Sequence, residues 1–245
     1  MINVEGLTKS FGRQPVLRGV NLEVPDGSIT VIIGRSGGGK SVFLRHLLGL
    51  VRPEAGRVMV DGIDLTQLRG RALDRIRERY GVVFQGGALF DSLTCAGNVA
   101  FPLREKTRLS PAQVSERVAT ALQRVGLADV GNKYPAEVSG GMRKRVAIAR
   151  ALVTEPAIVF FDEPTTGLDP ILVNTIHGLI RELHRRLTFT AVMVSHEIPE
   201  IFQIADSVAM LHEGRIVEVG PPEAIQASPN PIIQQFIRGE PEVRL

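Results

Sequence analysis

Two kinds of apolar spacing alternate along the chain. Short, dense runs rich in Val, Ile and Phe fall at residues 29–33, 82–84, 158–161 and 191–194. They lack polar alternation, so they predict strands buried on both faces. Between them the apolar positions recur at helical spacing. In residues 111–125, Val114, Val118, Leu122 and Val125 share one face, with Ser110 placed to cap the helix, Pro111 at its first position and Gly126 to end it. Strands separated by helices predict an α/β fold with a parallel sheet.

The flanks read differently. Residues 2–28 and 57–63 give short strand-like pieces joined by Phe11-Gly12, Pro25-Asp26-Gly27 and Asp61-Gly62, which predicts a small antiparallel sheet beside the parallel one. Residues 88–156 hold helical pattern and loops without a strongly buried strand, and so predict a helical subdomain inserted into the core. The core is then drawn from residues 1–87 and 157–230, with a Pro-rich loop at 221–231 between short C-terminal helices and a C-terminal tail at 231–245. All of this fits one domain of 245 residues.

Composition narrows the classes. Hydrophobic residues are 44% and charged residues 22%, which excludes a disordered chain. The single cysteine, Cys95, excludes a disulfide framework and a four-cysteine zinc site, and permits a reducing compartment. The balance of 29 basic against 26 acidic residues leaves +3, too thin an excess to argue for nucleic acid. No apolar run approaches the ~20 residues needed to span a bilayer. Residues 1–5 also lack the basic and apolar regions of a signal peptide. Work at a membrane would need another chain to supply the membrane part.

The chemistry concentrates in two places. Gly34-Arg35-Ser36-Gly37-Gly38-Gly39-Lys40-Ser41 follows one strand and opens a helix, the context that gives the Gly-x4-Gly-Lys-Ser pattern of a P-loop its meaning. Glycines let successive backbone N–H groups wrap phosphate oxygens, and a helix N-terminus adds partial positive charge. Lys40 is placed for the β- and γ-phosphates, and the Ser41 hydroxyl for Mg²⁺. The second place is the strand ending in Asp162 and Glu163. By itself an acidic pair there is often a solvated strand end. Beside a P-loop it predicts a metal carboxylate (Asp162) and a base for the attacking water (Glu163).

Taken together these motifs resemble the nucleotide-binding subunit of ATP-binding cassette (ABC) transporters, over residues 2–227. Val138-Ser139-Gly140-Gly141-Met142 is similar to the family signature, usually Leu-Ser-Gly-Gly-Gln, with Val for Leu and Met for Gln. The resemblance implies further roles. Phe11 would stack on adenine, and Gln85 would contact Mg²⁺ and water. His196 would contact the γ-phosphate. Thr166-Gly167-Leu168-Asp169 would cross a dimer interface. Val42 continues the phosphate loop. Ser139, Gly140 and Gly141 would face the P-loop of a second copy, so the resemblance implies a homodimer that sandwiches ATP. Met142 removes a side-chain hydrogen-bonding group, while the contacts expected of Ser139 and the glycine amides survive, so ATP hydrolysis is still expected.

Local phrases narrow the likeness. Gly34 through Val42, residues 85–94, residues 98–105 and Ser139-Gly140-Gly141-Met142-Arg143-Lys144-Arg145-Val146 resemble the Mla-type ATPases of bacterial phospholipid transport. That branch implies an MlaE-like integral-membrane permease, a periplasmic lipid-binding protein with an MCE domain, and room for a small accessory subunit. It also implies a place on the cytoplasmic face of the inner membrane, held there by the permease. Residues 86–93 hold Ala88, Leu89, Phe90 and Leu93 and are expected to form the groove for a permease helix. Three alternatives stand beside this one: the ATPase of another importer, such as one for polar amino acids, a soluble ABC ATPase, and an inactive binding subunit. Intact Lys40, Asp162, Glu163 and His196 speak against the last.

Overall fold

A computed structural model describes residues 1–240; residues 241–245, the end of the expected tail, lie outside the described residues. The chain opens with β1 (Ile2–Phe11), β2 (Gln14–Val24) and β3 (Ile29–Ile33), then α1 (Lys40–Leu47), β4 (Ala55–Val60), β5 (Ile63–Asp64) and α2 (Arg71–Arg77). Next come β6 (Tyr80–Val83), α3 (Cys95–Lys106), α4 (Pro111–Arg124), α5 (Gly140–Leu152), β7 (Ile158–Asp162) and α6 (Pro170–Leu187). The chain continues through β8 (Thr190–Ser195), β9 (Ser207–His212), β10 (Arg215–Gly220), α7 (Pro222–Gln226) and α8 (Pro231–Ile237).

The chain divides into two compact units, residues 1–77 with 190–245, and residues 78–189. In the first, β3 lies between β8 and β9 and is parallel to both. β10 extends this group as an antiparallel neighbour of β9. Every residue of β3 and β8 is buried, as their unbroken apolar runs require. The same unit carries an antiparallel sheet in the order β2-β1-β4-β5. Its first two strands are 10 and 11 residues long, not short pieces. They reach that length through register shifts at Leu7, Thr8 and Ser10, irregularities that interrupt strict alternation and so hide the strands from a period-2 reading. One other expectation changes. The Pro-rich stretch at 221–231 contains α7, because Pro222 occupies a first-turn position where no N–H is needed. α8 then packs on α7 and buries Ile233.

In the second unit β6 and β7 are parallel, with Val83 opposite Phe161. The strand expected at 82–84 starts earlier, at Tyr80, and releases Phe84 into a loop. α4 follows the sequence closely. Ser110 Oγ accepts the Gln113 N–H while Gln113 Oε1 accepts the Ser110 N–H, and Val114, Val118 and Leu122 are buried. Among the described residues, no helix is long and apolar enough to cross a membrane.

One buried group makes the first unit sensitive to pH. His46 on α1 donates through Nδ1 to the Val42 carbonyl at 2.7 Å, while its buried Nε2 has no hydrogen-bond partner. Burial, with a smaller contribution from the nearby Lys9 charge, holds its pKa below the ordinary 6.5. The unfolded chain therefore binds this proton first as pH falls, and stability drops below about pH 6.5. An NMR titration of the His46 ring should give a midpoint below that value. Thermal melts should lose less stability between about pH 7 and pH 5 in His46→Leu than in the wild type.

Candidate functional site

Parallel register brings the first group of candidates to one edge. Ile33 of β3 pairs with Ser195 of β8, so Gly34 and His196 leave adjacent strands side by side. Gly34 turns sharply at φ 153°, and a Cβ there would sit 2.2 Å from the Leu211 carbonyl oxygen, so no other residue fits. Gly37 and Gly39 follow at φ 77° and 97°. Gly39 is the N-cap of α1, and no side chain caps that helix. The buried Lys40 ammonium curls back onto the carbonyls of Gly34 (2.7 Å) and Arg35 (3.0 Å). A loop with two cations, no carboxylate and a helix start without a side-chain cap suits a polyanion.

Arg35 and Ser36 also line a cavity of about 460 Å³ with exposed His196 and, from the C-terminal segment, Phe236, Arg238 and Glu240. Arg35 Nη2 donates to the Glu240 carbonyl at 3.2 Å. Phe11 stands half-exposed beside the turn between β1 and β2, with Lys9 Nζ 5.5 Å from its ring centroid. Ser41 and Val42 belong to the first turn of α1 and are partly exposed.

In the second unit the same logic operates on β6 and β7. Gln85 and Glu163 each lie two residues past a paired position, and Gln85 Nε2 donates to Glu163 Oε2 at 3.1 Å. Glu163 adopts φ 48°, a left-handed backbone unusual for a residue with a Cβ. Thr166 Oγ1 donates to the same Oε2 at 3.1 Å, a partnership that sequence reading did not assign. Asp162 is the last residue of β7 and partly exposed. In this unit Asp162 and Gln85 offer oxygen donors of the hard kind that Mg²⁺ accepts, and in the first unit the Ser41 hydroxyl does so.

Ser139 and Asp169 are both helix caps. Ser139 Oγ accepts the Met142 N–H at 3.3 Å and starts α5 at Gly140, and Gly141 is buried near Leu172. Asp169 Oδ1 accepts the N–H groups of Ile171 and Leu172, both at 3.0 Å, at the start of α6.

A model of the ABC transporter family matches residues 17–166, more than half of the chain. The chain belongs to the ABC transporter family. This cassette is accordingly an ATP-binding, ATP-hydrolysing enzyme with the α/β fold of its family. It is 42% identical over 97% of its length to the probable ribonucleotide transport ATP-binding protein mkl of Mycobacterium leprae, of which it covers 69%. Of the Mycobacterium tuberculosis mkl protein it covers 66%, so the cassette spans about two thirds of these relatives. It is 38% identical to the intermembrane phospholipid transport system ATP-binding protein MlaF of Escherichia coli, covering 98% of this chain and 89% of that one. Among solved structures, a dimeric post-hydrolysis state of the cassette MJ0796 bound to ADP and Pi matches with TM-score 0.82 and 32% identity, over 91% of this chain and 99% of that chain.

The cassette also presents an aromatic groove in its second unit. Phe84, Phe90 and Phe101 are 41%, 44% and 39% exposed, and the rings of Phe90 and Phe101 lie 4.8 Å apart. They line a cavity of about 450 Å³ with Ala88, Lys106 and Arg150. Within the segment expected to form a groove, Ala88 and Phe90 line it. Leu93 instead lines a separate cavity of about 760 Å³ against α3 and α4. Phe84 and Phe101 come from outside the expected segment and were missed, because neither a loop Phe nor a helix Phe carries a signal of exposure.

Asn98 fixes this groove from beneath. Fully buried on α3, it accepts the Phe90 N–H at 2.8 Å and donates to the carbonyls of Phe90 (3.0 Å) and Leu93 (3.1 Å). Asn98→Ala removes the partner of the Phe90 N–H and of the Leu93 carbonyl, while the Phe90 carbonyl keeps the Leu93 N–H at 3.2 Å. It should cost about 1–3 kcal/mol, read as a fall in the denaturation midpoint of the full chain.

Proposed function

We propose that the cassette is the ATP-hydrolysing subunit of a bacterial transporter that moves phospholipid between membranes. The support is its identity to the Escherichia coli intermembrane phospholipid transport ATP-binding protein over almost all of both chains. Ribonucleotide transport is the second reading, favoured by the higher identity to mkl, which however extends well beyond the matched region.

In this reading the amides of Gly34, Arg35, Ser36, Gly37, Gly38, Gly39, Lys40, Ser41 and Val42 hold the triphosphate. Lys40 exchanges its two carbonyl acceptors for phosphate oxygens, which costs little because the ammonium is already desolvated and aimed. Phe11 stacks on the adenine, where stacking is worth about 1–3 kcal/mol. Glu163 takes the proton of the attacking water, Gln85 orients that water, and His196 contacts the γ-phosphate. Magnesium supplies charge neutralisation on the phosphate oxygens when bound, and Ser41, Gln85 and Asp162 are the side chains that would hold it. Ser139, Gly140, Gly141 and Asp169 act across a homodimer, so each site needs two copies.

The remaining partners follow from the same reading. An MlaE-like permease inserts a short helix into the aromatic groove, which has the exposed rings and cationic edge suited to an amphipathic segment. A periplasmic MCE-domain lipid-binding protein and a small accessory subunit complete the assembly, with the cassette itself at the cytoplasmic face of the inner membrane. Residues 88–156 serve as its helical subdomain.

Purification of the tagged full chain from membranes tests this. A membrane protein and phospholipid identified by mass spectrometry should copurify, and Phe90→Asp should reduce that recovery several-fold. Ribonucleotide in place of lipid would establish the second reading. Glu163→Gln should keep ATP binding, lower turnover by a hundredfold or more and accumulate an ATP-bound dimer, measured by phosphate release and size-exclusion chromatography. Lys40→Ala should instead weaken ATP affinity itself, measured by calorimetry.

A further inference from the structure

Gln85 is followed by Gly86, Gly87 and Ala88 at φ 76°, 85° and 45°, three successive left-handed residues. Inside the loop the Gly87 N–H donates to the Phe84 carbonyl at 2.8 Å, while Ala88 carries a steric penalty that glycine escapes. The Gly87 and Ala88 carbonyls are held from outside the loop. Arg150, in the last turn of α5, supplies the hold. Its Nη2 donates to the Gly87 carbonyl at 2.6 Å and its Nη1 to the Ala88 carbonyl at 2.7 Å. The guanidinium is partly buried, and burial lowers its pKa, yet from so high a starting value that the charge persists. Gly87 also lies against α5, where a Cβ would approach Ala147 Cβ at 3.4 Å.

This fork stands between two sites. On one side, Arg150 and Ala88 line the aromatic groove with Phe84 and Phe90. On the other, the residue just before the left-handed run is Gln85, whose amide donates to Glu163. α5 begins at the Ser139 cap, so the helix that carries Arg150 also carries the signature segment.

We propose that Arg150 is a positioning residue for ATP hydrolysis: its two-pronged hold on Gly87 and Ala88 sets the loop that presents Gln85 to Glu163. The inference rests on the reading of Gln85 and Glu163 given above. A planar fork matches two neighbouring carbonyls, whereas a lysine ammonium keeps the charge but cannot span both in one geometry. Arg150→Lys therefore loosens the loop without removing the cation from its place.

The test uses Arg150→Lys and Arg150→Ala in the full chain, purified with whatever membrane assembly accompanies it. Three quantities are compared with the wild type: amide hydrogen exchange over residues 84–91, the melting temperature, and kcat and KM for ATP. Arg150→Lys should exchange about tenfold faster in that loop, melt within about 2 °C of the wild type, and lose kcat about fivefold with KM unchanged. Arg150→Ala should show the same split more strongly, with part of the loss rescued by lysine. Exchange at the wild-type rate would overturn the hold itself. Faster exchange with unaltered kcat would overturn its link to hydrolysis. A parallel fall in melting temperature, kcat and ATP affinity would reduce Arg150 to packing. Glu163→Gln in the same assay separates the two readings. If it retains turnover, the assignment of the base fails and the catalytic half of this inference fails with it, while the exchange data still decide whether Arg150 holds the loop.

Discussion

In a parallel pair, both strands run out at the same edge of the sheet, so residues just past their ends meet whatever their distance along the chain. β3 with β8 places Gly34 beside His196, and β6 with β7 places Gln85 on Glu163. β3 and β8 are buried along their whole length and β6 and β7 along most of theirs, as their Val, Ile and Phe runs require. A slip of one register position in either pair would carry the residues past its strand ends out of step, parting Gly34 from His196 or Gln85 from Glu163. Core packing and the geometry of the candidate site are thus the same constraint seen from two sides.

Much of this was legible in the sequence because its signals are local. A strand with no polar alternation, a Gly-rich turn after it and a periodic helix beyond it read off as β3, the phosphate loop and α1. The cap of α4 was equally plain, since Ser110, Pro111 and Gln113 act within one turn. The motif that resembles the family signature stood out despite Val138 and Met142. The family model, spanning residues 17–166, agrees with that recognition.

What escaped the sequence depends on partners far along the chain. Arg150 sits in a helix whose pattern announces only that it is amphipathic, and its meaning comes from carbonyls some sixty positions away, at |i−j| of 62 and 63. Thr166 was read as part of an interface loop, yet its hydroxyl turns back to Glu163. Asn98 stood in the sequence only as the start of a phrase resembling the Mla-type ATPases, and it is burial that shows it bonding the Phe90 loop. The length of β1 and β2 was obscured for a different reason: their register shifts break the alternation by which strands are recognised.

The cap at the start of α5 makes sense of one of the two departures from the usual signature, Met142. Ser139 needs its side-chain oxygen, because that atom receives the N–H of residue 142. To that cap residue 142 contributes its main-chain N–H, which methionine supplies as well as glutamine would. The departure from the usual glutamine at this position therefore leaves the start of α5 intact.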